Sequence, residues 1–256
     1  MKNKECVLLP RRFRMVQYLD CLFFSTPSDP DGVIFIRKSD NTFLLYRLCD
    51  RKFYEHQWKG TAVSNTIFVE GKLYTLSLEK GKRRKLCGLN DEDWSLAVVD
   101  PLFPGDTHTV KMKLKLGNNT RLLQTLGYHV FILVESCGET LLVRMMWNCV
   151  RNLSCDVFRA NLTRLEWTKV ENLGDRVLFL SHGSSISVSA SEMGCKGNHI
   201  YYIPTKHERL NAVRKVCKRT APFVEFKLGS DEMIPHSIPA CSNFVVGCTW
   251  LTPCLP

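Results

Sequence analysis

The chain has 256 residues, 45% hydrophobic and 23% charged, with 35 Lys and Arg against 25 Asp and Glu. This is the balance of an ordinary globular protein, long enough for one large domain or two small ones, and it excludes wholesale disorder. No apolar run approaches the ~20 residues of a membrane-spanning helix, and the net charge of +10 bears on encounters with polyanions rather than on fold.

The basic start Met1-Lys-Asn-Lys has no signal-peptide core, because Pro10, Arg11, Arg12 and Arg14 interrupt it. The expected location is therefore intracellular, in cytoplasm, nucleus or both, with no membrane partner. From there a short apolar strand, a polar turn and another short strand recur. Val33–Arg37 is followed by the turn 38–41 and then by Thr42–Tyr46. Ile67–Val69 meets Glu70-Gly71, and Lys72–Leu78 alternates with period two. A polar connection over 79–94 holds Lys80-Gly-Lys-Arg-Arg-Lys85 and then Asn90–Asp93. Tyr128–Val134 is separated by Glu135–Gly138 from Thr140–Trp147. Strand-length β-branched and aromatic runs bounded by Gly, Asn, Asp and Ser signal hairpins.

Trp167 ends one such group. Gly174 supplies the positive φ of a tight turn, and Asp175 is placed to bond that turn's backbone. Val177–Leu180, which includes Phe179, is apolar enough for a strand buried on both faces. Ser189-Ala-Ser-Glu192 fits a capping box for a one-turn helix, and Gly197-Asn198 re-enters a strand over His199–Ile203, with Ile200 and Tyr201 inside it. Residues 206–222 form a basic insertion with helix-like spacing at Leu210, Val213 and Val216, before Phe223–Leu228 alternates again. Many short strands with almost no helix imply a sandwich, barrel or propeller. Trp58, Trp147, Trp167 and Trp250, each near the end of a strand group, favour the propeller, whose interblade wedges take large apolar side chains. At about 40–50 residues per blade, four to five blades fit.

Chemistry is harder to find. No GxSxG elbow, HExxH helix, P-loop or GxGxxG turn occurs. His182-Gly-Ser-Ser185 reads as a turn rather than a nucleophile pair, Asp29-Pro-Asp31-Gly32 lacks the later ligands of a calcium loop, and Asp91–Asp93 reads as a solvated turn. His56, His129 and His199 lie on strand-like segments and read as packing or surface residues. The twelve cysteines include no CxxC pair, and neither Cys149 with Cys155 nor Cys248 with Cys254 has zinc spacing. They are expected to be reduced and mostly buried. No catalytic, cofactor or metal residue is assigned.

The stretch Trp167–Ile203 closely resembles the signature of the plant F-box-associated KIB-type β-propeller family (domain of unknown function 295). The residues that carry it are Trp167, Gly174, Asp175, Phe179, Asn198, Ile200 and Tyr201. Gly71–Tyr74, Leu133–Ser136 with Leu141–Val143, and Thr249–Pro253 match further pieces, so the resemblance runs from about residue 15 to the C-terminus. It implies a single all-β domain over 1–256, a propeller-like array of about four to five short antiparallel sheets, and a non-enzymatic interaction role. Family members carry an F-box that binds the Skp1 adaptor of an SCF ubiquitin ligase, and the propeller receives the substrate. The F-box and the first-blade motifs have no counterpart here, so the expectation is an N-terminally truncated member with an incomplete ring, an unidentified protein partner and no Skp1 binding. Two alternatives stand beside this. One is nucleic-acid or polyanion binding through the basic patch Lys82, Arg83, Arg84 and Lys85 and through Arg209–Arg219, where no aromatics are interleaved. The other is a truncated product without independent function.

Overall fold

The computed structural model describes residues 20–23, 32–39, 42–57, 61–78, 94–99, 107–111, 113–114, 128–147, 153–181, 184–204, 223–230 and 233–236. Trp58, Trp250, the Lys82–Lys85 patch, His182, Asp91–Asp93 and the insertion 206–222 lie outside them.

Among the described residues, eighteen strands and one helical turn make four separate sheets. The first holds β1 (Asp20–Phe23), β2 (Val33–Arg37), β3 (Thr42–Arg47) and β4 (Lys52–Gln57) in chain order. The second holds β5 (Thr61–Val69), β6 (Lys72–Leu78), β7 (Trp94–Val99) and β8 (Thr107–Lys111), again in order. The third runs through β10 (Tyr128–Ser136), β11 (Glu139–Trp147), β12 (Leu153–Asn161) and β13 (Glu166–Val170), and the short β9 (Lys113–Leu114) joins its far edge. The fourth contains β14 (Arg176–Ser181), β15 (Ser185–Ser189), β16 (His199–Ile203), β17 (Phe223–Lys227) and β18 (Met233–His236), with α1 (Ala190–Met193) between β15 and β16. This is the all-β, multi-sheet architecture of a propeller, at the lower end of the expected sheet count.

The hairpins follow from two-residue turns. Glu70-Gly71 and Cys137-Gly138 both take positive φ at both positions, 46° and 80° in the first, 54° and 78° in the second. Such turns twist with the right-handed strands they join, so β10 and β11 pair without interruption from Tyr128↔Trp147 to Ser136↔Glu139.

Two pairings depart from the antiparallel expectation. β9 lies parallel to β13, and β14 lies parallel to β16 from Val177↔His199 to Ser181↔Ile203. In the fourth sheet the order is β15-β14-β16-β17-β18, so the chain runs out to the sheet edge in β15 and returns past β14 through α1. Parallel neighbours need such a crossover.

Successive sheets stack face to face through apolar wedges. Phe35, Phe43 and Leu45 of the first meet Leu73 and Ala97 of the second. Tyr74, Leu76 and Leu96 of the second meet Phe131, Leu142, Phe158 and Trp167 of the third. Val143, Met145 and Val157 of the third meet Leu178, Leu180, Ile200 and Tyr202 of the fourth. Each Val, Leu, Ile, Phe or Met among them, taken out of water, contributes about 1.5–3 kcal/mol. Trp167 is 2% exposed and fills the wedge between second and third sheets, the role its sequence position implied. Four of the twelve cysteines have described side chains, and three of these depart from the expected burial. Cys155 is half-buried against the third wedge, where burial raises its thiol pKa, but Cys49, Cys137 and Cys195 are free and exposed. Turn geometry explains two of them: Cys137 occupies a hairpin tip and Cys195 follows the helix.

Candidate functional site

Edge strands of three sheets, β5, β10 and β15, come together. At a break in the β5–β6 register between Ala62 and Thr66, Asn65 turns away from its own sheet. Its Nδ2 donates to the Leu133 carbonyl at 2.8 Å and its Oδ1 accepts from the Leu133 N–H at 2.7 Å. The side-chain amide thus imitates a neighbouring strand for the otherwise unpaired edge of β10. Ser185 of β15 completes the junction, its Oγ donating to the same carbonyl at 2.6 Å and accepting from Asn65 Nδ2 at 3.1 Å. Ser136 and Ser187 hydroxyls bond at 2.8 Å further along, and Arg176 Nε donates to Ser187. From the first sheet, Arg37 Nη1 donates to the Ser64 carbonyl at 2.6 Å. Asn65 is 4% exposed, so losing its bonds strands a buried amide, at about 1–3 kcal/mol.

This clasp holds a set of turns together. The tip Glu70-Gly71 lies against Cys137-Gly138, since a Cβ built on Gly138 would stand 3.7 Å from Glu70 Oε1. Glu135 Oε1 accepts from Gly138 N at 2.8 Å and stiffens the second tip. Beyond the Ser136–Ser187 contact the chain enters α1. The exposed charges of these turns include Glu70 and Glu135 at the tips and Glu192 in α1, with Lys72 and Lys196 nearby, while Glu139 is paired with Arg159.

The signature residues gather in the fourth sheet, around its crossover. Gly174, at φ 62°, sits so close to Gly197 that a Cβ on Gly197 would lie 2.5 Å from the Gly174 carbonyl oxygen. Asp175 does not bond its own turn as expected but reaches α1. Its carboxylate accepts from the Ser189 and Ser191 hydroxyls and from Ser191 N, and these hydrogen bonds hold it below the usual aspartate range. Ser189 caps the helix by accepting from Glu192 N. Asn198, in the left-handed region at φ 61°, accepts from Leu173 N and donates to the Leu228 carbonyl. Phe179 stacks on Tyr201 at 5.1 Å, and Ile200 points the other way into the wedge. Tyr201 donates to Glu225, and burial together with that carboxylate pushes its hydroxyl up to about 12. Glu225 also takes His236 Nε2 and stands 3.5 Å from His199 Nε2, while His199 Nδ1 lies 2.6 Å from the Gly197 carbonyl. His56 stacks on Phe43, and burial lowers its pKa.

Thus Gly174, Asp175 and Asn198 form one hydrogen-bonded rim, Phe179 and Tyr201 one aromatic face, and Trp167 and Ile200 the wedges on either side of the third sheet. None of these contacts aligns a nucleophile with a base and an orienting acid. Among the described residues no group of three His, Cys, Asp or Glu side chains can hold a metal ion. The family model for the KIB1-4 β-propeller matches residues 4–224. The chain belongs to the KIB1-4 β-propeller family. A search of curated proteins finds no match to it. The KIB1-4 match takes in all the signature residues and stops short of Thr249–Pro253. Sequence reasoning missed Asn65, Ser185 and Ser187, whose bonds from sheet to sheet span between 51 and 120 residues of chain. The polar run Ser64-Asn65-Thr66 inside an otherwise apolar strand is the local signal of the clasp.

Proposed function

We propose that this KIB1-4 propeller is a non-enzymatic module that holds a partner protein on the turns around its clasped strands. The observation that carries the reading is the Asn65–Leu133–Ser185 junction. It fixes the tips Glu70-Gly71 and Cys137-Gly138 before any partner arrives, so little ordering entropy is lost on binding. Their carboxylates favour a basic segment of the partner and disfavour a phosphate backbone, which supports this reading over polyanion binding. In keeping with the family resemblance, the partner is a protein destined for ubiquitin ligation.

The test is affinity purification with the full chain and with the double variant Glu70→Lys, Glu135→Lys. The expected result is a set of proteins retained by the first and lost by the second, both chains melting alike. Retention of nucleic acid with a steep salt dependence, or equal retention by both chains, contradicts the reading.

A further inference from the structure

We draw no further inference here: the strongest candidate, the His199–Glu225–His236 side-chain cluster across β16, β17 and β18 of the fourth sheet, is committed to contacts among its own members, with Tyr201 and with the Gly197 carbonyl, and nothing in the structure points to a ligand for it.

Discussion

The third and fourth sheets are built from strands of similar composition, yet they are held in different ways. The third is a meander over β10 to β13 with the short parallel β9 at its far edge, and its two described connections, 137–138 and 162–165, are local turns between neighbours. Once Cys137-Gly138 has the right φ values, the pairing from Tyr128 to Ser136 follows, and the wedge residues on both faces do the rest. The fourth contains the parallel pair β14–β16, which no short turn can close. Side chains take over there: Asp175 grips α1, and Asn198 ties Leu173 to Leu228. The meander adds to burial a cross-strand ion pair, Arg144 with Asp156, whereas the crossover relies on side-chain bonds to backbone groups of connecting segments.

That contrast can be broken at three levels of energy. Trp167→Ala empties the wedge between second and third sheets and is expected to cost about 3–5 kcal/mol in denaturant unfolding. A loss below about 1 kcal/mol would mean the sheets are not bound through that wedge. Asn198→Ala removes two side-chain hydrogen bonds and places alanine at φ 61°, for an expected loss of about 2–3 kcal/mol. Asn198→Gly recovers the backbone term only, so the difference between the two variants isolates the strain, and the loss that remains in the glycine variant measures the ties. The smallest effect is a pH dependence. Asp175 is held below its ordinary pKa when folded, so its contribution is full above the unfolded aspartate value of about 3.9 and is lost as pH falls through the lowered folded value. Asp175→Asn should flatten the acid limb of the stability curve and leave its alkaline limb unchanged.

What can be read from the sequence follows the same division. Gly71, Gly138 and the Ser189–Glu192 cap lie beside the residues they act upon, so turns, hairpins and α1 are legible in the order of residues alone. Trp167–Ile203 is legible as a family signature, and its burial pattern bears out the strand assignments. The parallel pairing of β14 with β16 is not, because alternation of apolar residues fixes which side chains share a face but not which strand lies alongside. Nor is the clasp, where Asn65 meets Leu133 across 68 residues. The cysteines mislead for a related reason: a small apolar residue suits a core, but Cys137 sits where the chain must turn.

A preformed binding surface requires a rigid axis that presents its turns ready for a partner. Amide hydrogen exchange at Leu133 tests this directly, since that N–H is the one Asn65 holds from a different sheet. The expected result is exchange as slow as that of the wedge strands in the wild type and faster by orders of magnitude in Asn65→Ala, with the centre of β11 still protected. Leu133 exchanging in the wild type as fast as the exposed tip at Cys137 would mean that the sheets move independently, and turns held in place ahead of binding would be ruled out.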